Sequence, residues 1–237
     1  MLNKGINVFI IKFGNEIRFQ EVPLFRGAVL RLLGNDTDIL FHNHSSDTTF
    51  RYSYPLIQYK RIRKKMAMFC IGEGTETIGK LLALNETNIT LGDRETNLEI
   101  ESAVPKRYIV QVWDTAFTYN IRNWIPLNSQ NYTEYKSIEE LSARIELLEK
   151  ILVGNILSFA KGMGIEVEKQ ITCKLVSVEE PRILRVKGVK VMAFNAKFKT
   201  NISLPDYIGL GKHASIGYGT VVRAYGRKNP DNETSQE

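Results

Sequence analysis

The sequence predicts an α+β protein of two tandem ferredoxin-like (RRM-like) domains, antiparallel sheets with helices on one face. Three observations predict it. Residues 1–95 read as strand, helix, hairpin, helix, strand, which is the β-α-β-β-α-β pattern. Residues 96–228 repeat the sheet-with-helices plan, with a glycine-rich segment in the second helix position. A hydrophobic content of 43% over 237 residues suits packed domains and contains no run fit to span a membrane.

The elements follow in order. Ile6–Phe13 is rich in β-branched and aromatic residues and predicts a central strand. Pro23 and Gly34 bracket a helix of about three turns, with Leu24, Ala28, Val29 and Leu32 expected against the sheet. Ile39–His44 leads into a polar stretch. Phe50–Lys60 alternates as a strand, Lys60–Lys65 is read as a basic turn, and Met66–Ile71 is the partner strand. Gly72 to Gly74 open a helix over 75–84, and Thr87–Leu91 is expected as the fourth strand. The polar segment Gly92–Asn97 is read as interdomain.

The second half opens with a long strand, Tyr108–Tyr119, and a packed loop, Trp124–Leu127. Ser137 and Glu140 form a capping-box pattern before a helix that carries Ile138, Leu141, Ile145, Leu148, Leu152 and Ile156 to about Lys161. Gly162 and Gly164 stop it. Gln170–Val178 and Gly188–Phe198 read as a hairpin, and Thr220–Tyr225 as the last strand. Residues 229–237 read as a disordered polar tail.

Charge and cysteine content narrow the function. The net charge of +6 points to an anionic partner, with nucleic acid the commonest candidate. Cys70 and Cys173 sit in apolar runs, read as buried thiols of a cytoplasmic protein rather than zinc ligands. No signal-peptide pattern is present, since Asn7 and Lys12 interrupt the first apolar run.

Two stretches carry chemistry. Gly209-Leu-Gly-Lys-His-Ala-Ser-Ile-Gly-Tyr-Gly219 offers unencumbered N–H groups and Lys212, which suits phosphate. It precedes a strand and matches neither the P-loop nor the dinucleotide fingerprint. A flexible surface loop is the plain alternative. His42 and His44 point to one side of an extended segment. RNA can be cut by its own 2′-OH when a base, an acid and a cation surround the phosphate. The pair, with Tyr52, Tyr54 and Arg31, supplies those group types. A chance pair on a loop, or two metal ligands lacking a third, is the alternative. The turn Lys60-Arg61-Ile-Arg63-Lys64-Lys65 could grip phosphates or serve only solubility. Tyr59 could stack a base or be buried.

Read together, these segments resemble the CRISPR-associated endoribonucleases that cut repeat RNA, members of the repeat-associated (RAMP) superfamily. The glycine-rich segment is similar to that superfamily's C-terminal loop. Arg26–Arg31, Leu40–His44 and Tyr52–Lys60 look like the b-type branch of the sixth Cas protein family. The resemblance implies His42 and His44 as the catalytic pair, Tyr52 as the tyrosine with Tyr54 competing, and Arg31 at an upstream basic position where lysine is expected. With the glycine-rich segment so matched, RNA contacts are expected from Gly209, Gly211, Lys212, His213, Ser215, Gly217 and Gly219, and from Tyr54 and the basic turn read above. The resemblance implies metal-independent cleavage of precursor RNA within repeats, leaving 5′-OH and 2′,3′-cyclic phosphate ends, with no cofactor. The implied partners are the repeat RNA, precursor and mature, and a type I or III effector complex, with room for a homodimer and none for a membrane. A repeat-RNA-binding or structural subunit without cleavage is the rival reading.

Overall fold

The computed structural model describes residues 5–34 and 54–225. The expected strand start at Phe50 and the residues 35–53 therefore lie outside the described residues. In the first sheet, β1 (Ile6–Glu16), β2 (Ile57–Ile62), β3 (Lys65–Ile71) and β6 (Ile100–Tyr108) pair antiparallel in the order β2-β3-β1-β6. This is the ferredoxin-like arrangement. Helix α1 (Val22–Leu33) has Pro23 in its first turn and ends at Gly34, which adopts φ 72°. Its buried face is Val22, Phe25, Ala28 and Val29, while Leu24 is 46% exposed. Phe25 lies three and four residues before Ala28 and Val29, so it shares their face and Leu24 does not.

Three further expectations change. The helix expected over 75–84 is two single turns, Gly74–Thr77 and Gly79–Leu82. Thr75, Thr77 and Gly79 are weak helix formers, and the chain must pass close to Leu56, whose carbonyl lies 2.6 Å from where a Cβ on Gly74 would sit. The strand expected at Thr87–Leu91 exists as β4 (Asn88–Leu91), but among the described residues it pairs only with β5 (Arg94–Asn97), in a separate hairpin. The segment 92–97, read as interdomain, is that hairpin's turn and second strand. The fourth strand of the sheet is instead β6, which pairs with β1 from Ile100 to Tyr108. It is an edge strand with Pro105, Lys106 and Arg107 facing solvent, so its alternation is hard to see. The first sheet thus runs past the expected limit of residue 95.

The second sheet has the order β11-β7-β10-β8, formed by β7 (Val112–Trp124), β8 (Cys173–Val178), β10 (Val189–Ile202) and β11 (Thr220–Arg223). β9 (Arg182–Val186) pairs with the start of β10 through a turn at Lys187 and Gly188. Two helices follow β7: α2 (Ser129–Ser137) and α3 (Leu141–Gly162). Ser137 therefore ends α2 instead of capping α3, and its hydroxyl donates to the Glu134 carbonyl at 2.8 Å. The real cap nearby is Asn128, whose side chain accepts from the Asn131 N–H at 2.7 Å. Leu141 is 72% exposed, but Leu148, Leu152 and Ile156 are buried as the spacing predicts.

Two apolar clusters result. One lies between α1 and the first sheet, where Phe25 packs edge-on to Phe13 at 5.8 Å and to Tyr59 at 5.5 Å. The other joins the opposite face of that sheet (Val8, Ile10, Phe69, Ile71) to the second sheet and α3 through Tyr119, Ile121, Phe198, Leu152 and Phe159. The two domains thus share a core. No helix among the described residues is long and apolar enough to cross a membrane.

The face assignment on α1 is testable by thermal unfolding. Phe25→Ala should cost about 3–5 kcal/mol, the range for a buried aromatic, and Leu24→Ala less than about 1 kcal/mol. The reverse order would place the helix in the other register.

Candidate functional site

The glycine-rich segment is packed, not flexible. Leu210 donates to the Gly219 carbonyl at 2.9 Å and Gly219 donates to Asn123 at 3.1 Å. Gly219 adopts φ 61°, and a Cβ there would collide with the Leu210 carbonyl. Gly211 and Gly217 adopt φ 84° and 90°, turning the chain around a single 3-10 turn, Ala214–Ile216. A non-glycine residue, His213, stands at φ 60° at the start of that turn. Within 209–219 the side chain that faces fully into solvent is Lys212, with His213 and Ser215 half-buried beside it.

The first domain holds the base of this loop. Tyr54, Gln58 and Lys60 are spaced to lie on one face of the chain entering and forming β2. The Tyr54 hydroxyl donates to the Gly209 carbonyl at 2.7 Å and accepts from Gln58 Nε2 at 2.8 Å. Gln58 Oε1 accepts the Gly209 N–H at 3.0 Å. Lys60 Nζ donates to Thr220 Oγ1 at 3.3 Å, and Thr220 in turn donates to the Gly217 carbonyl at 2.9 Å. Phe19 packs edge-on to Tyr218 at 5.0 Å, closing the seam near the start of α1.

Burial sets the ionisation of this seam. Lys60 is 1% exposed and burial lowers its pKa to about 7. The ring of Phe69 lies 5.9 Å from its ammonium. Burial pushes the Tyr54 hydroxyl far up, outweighing its bonds to Gln58 and Gly209. Tyr54 is thereby a neutral structural donor. Burial, then Lys187 and Lys212, hold His213 below its ordinary value.

The basic turn divides by geometry. Lys60 and Arg61 belong to β2, and the tip is Arg63 and Lys64, at φ 49° and 71°. Lys60, expected with the turn, is buried in the seam and turned toward Thr220. Arg61 Nε donates to the Ile17 carbonyl at 2.7 Å. Lys65 pairs with Glu101 at 2.8 Å on the surface. Arg63 and Lys64 point to solvent. Tyr59, either a stacking or a core residue on sequence, is in the core. Arg31, exposed near the end of α1, donates from Nη2 to the Thr90 carbonyl at 2.9 Å. His42, His44 and Tyr52 lie outside the described residues. Among the described residues no three His, Cys, Asp or Glu gather as a metal site would require.

Sequence reasoning missed Gln58 and Thr220 as partners across the seam. The available signal was the alternation of polar Gln58 and Lys60 with apolar Ile57 and Tyr59, which reads as a solvent face but here faces the second domain. Lys187 was missed because it reaches His213 only through the β9–β10 turn.

Two ferredoxin-like domains in tandem, with a glycine-rich loop of the second locked onto the first, are the arrangement that the resemblance to the RAMP superfamily implies. The Cas6b N-terminal domain family matches residues 4–108 and the Cas6b C-terminal domain family matches residues 111–224. The chain belongs to the Cas6b family. A crystal structure of Cas6b superposes with a TM-score of 0.84 at 25% identity, covering 93% of this chain and 100% of that one. A second, described as the CRISPR RNA processing endoribonuclease Cas6b, gives a TM-score of 0.71 at 22% identity with the same coverage of both chains. An uncharacterized protein of Methanocaldococcus jannaschii is 43% identical over 103 residues, 44% of this chain and 69% of that one.

The buried ammonium of Lys60 gives a signed pH effect. Its folded pKa of about 7 lies below the unfolded value of 10.5, so between the two the unfolded chain binds the extra proton. Stability then rises with pH across that window. Lys60→Met should melt above the parent at pH 7, with the gap closing as pH rises toward 10. Parallel melting-temperature curves would show that Lys60 is not desolvated.

Proposed function

We propose that this protein is an endoribonuclease that cuts CRISPR precursor RNA within its repeats, without a metal. The observation that carries the reading is the end-to-end match of both Cas6b domains, in a chain that keeps His42 and His44 between α1 and β2. The downstream end of that connection, Tyr54, is bonded to Gly209 of the glycine loop. Tyr54 thus ties the chain just downstream of the histidines to the loop proposed to hold RNA.

One imidazole removes the proton of the 2′-OH. The 2′-oxygen attacks the adjacent phosphorus, and the P–O5′ bond breaks. The second imidazole protonates the departing 5′-oxygen, leaving a 5′-OH and a 2′,3′-cyclic phosphate. The pair thus supplies both the base and the acid. Arg31 is assigned to the charge that develops on the phosphate. Tyr52 is assigned as the tyrosine of the site, since the Tyr54 hydroxyl is committed to the seam. Lys212, His213 and Ser215 are the contacts of the loop, and Arg63 and Lys64 those of the β2–β3 tip. The tip stands roughly 10 Å along the strand from Lys60.

Two measurements test the reading. Purified protein incubated with repeat RNA in EDTA should give one specific cut, and a His42→Ala/His44→Ala double variant none. Cleavage by the double variant would move the catalytic centre elsewhere. Tight binding with no cut by the parent would favour a non-catalytic RNA-binding subunit. In binding assays the parent's affinity should fall steeply with salt, and Lys212→Ala should make the log–log slope shallower by about one unit. An unchanged slope would remove Lys212 from the contacts.

A further inference from the structure

The far end of the second sheet carries an exposed aromatic cluster that the seam and the loop do not use. Trp113, at the start of β7, is 38% exposed, and Tyr225, two residues beyond β11, is 74% exposed. Phe117 lies between them, edge-on to Trp113 at a centroid distance of 6.4 Å. The guanidinium carbon of Arg223 stands 4.7 Å from the Phe117 ring centre and 5.9 Å from that of Tyr225.

This cluster is held in place. The Trp113 indole N–H donates to Ser203 Oγ at 2.9 Å. Asp206 accepts the Arg223 backbone N–H at 2.7 Å through one carboxylate oxygen and the Tyr225 hydroxyl at 3.4 Å through the other. The rings and the guanidinium are thus oriented before any ligand arrives, which reduces the ordering cost of binding.

The occupant follows from composition and position. Flat aromatic faces interleaved with a guanidinium are the elements on which bases of single-stranded nucleic acid stack. Arg223 ends the four-residue strand that starts at Thr220, directly after the glycine loop. A strand held at the loop and running along β11 would reach the cluster after about 10 Å. The chain's net charge of +6 favours a polyanion, and the sequence beyond Tyr225 continues Gly226-Arg227-Lys228. We propose that Trp113, Phe117, Arg223 and Tyr225 form a base-stacking platform for single-stranded RNA flanking the segment held at the glycine loop. The flank assignment rests on the RNA-processing reading above, but the platform can be tested without it.

Trp124 is fully buried, so of the two tryptophans Trp113 is the one that meets solvent. The full chain is titrated with a short single-stranded oligoribonucleotide of mixed sequence, and with a duplex of the same length, while tryptophan emission is followed. The single strand should quench Trp113 emission more strongly than the duplex. Tyr225→Ala should weaken single-strand affinity about tenfold, the size of one lost base–aromatic stack, and Tyr225→Trp should restore it. Repeat RNA with single-stranded flanks should lose affinity in Tyr225→Ala, and repeat RNA without them should not. Absence of quenching, or equal affinity of parent and Tyr225→Ala for the single strand, would overturn the platform and leave this Trp, Tyr and Arg cluster to a protein partner. If the parent neither binds nor cuts repeat RNA, the RNA-processing reading fails, and the oligonucleotide titration still decides the platform.

Discussion

The structure turns on a polar seam buried between two sheets. Tyr54, Gln58 and Lys60 present two hydroxyl or amide groups and an ammonium to Gly209 and Thr220. Buried polar groups are costly unless they are paired, so this set has few alternative partners and fixes one arrangement of the domains. The surrounding apolar cluster supplies attraction without direction. The seam supplies the register, because Gly209 must offer both its N–H and its carbonyl to the same two side chains. Lys60 is the weak point of the set: it gains one hydrogen bond and a ring contact, against desolvation strong enough to lower its pKa to about 7.

The glycine loop takes its shape from the same constraint. Its glycines are needed because backbone from two domains meets there, and Gly219 has no room for a side chain beside Leu210. The loop therefore exposes few groups, Lys212 foremost with His213 and Ser215 at its side. Under the proposed function a rigid loop of this kind places a phosphate, while the histidines enter from the connection that Tyr54 terminates. Binding and chemistry would then share one anchor. Tyr54 belongs to that anchor through its hydroxyl.

Much of the fold was legible. The first strand, α1 with its Pro and Gly limits, the β2–β3 hairpin and the last strand follow from period, propensity and turn chemistry, because each is decided within a few residues. The errors share a cause. β4 has strand character, but which strand it pairs with depends on residues far away, and β6 took the sheet position assigned to it. Ser137 carries a capping pattern, yet α2 already occupies that position. Leu24 faces solvent because packing selected a neighbouring face of α1, whereas Leu141 shares the buried face of α3 but is that helix's first residue and stays exposed.

The sequence by itself determined the class of each domain, the net positive charge and the candidates for proton transfer, since these depend on composition, spacing and side-chain chemistry. Only the tertiary structure decided which polar residues meet. It took Lys60 out of the basic turn and into the interface, and it gave the Tyr54 hydroxyl to Gly209. It also gathered Trp113, Phe117, Arg223 and Tyr225 at one end of a sheet. The physical reason is that pairing across 155 or 160 residues of chain, as in Tyr54–Gly209 and Lys60–Thr220, is set by the docking of two cores. No local pattern in the sequence encodes that docking.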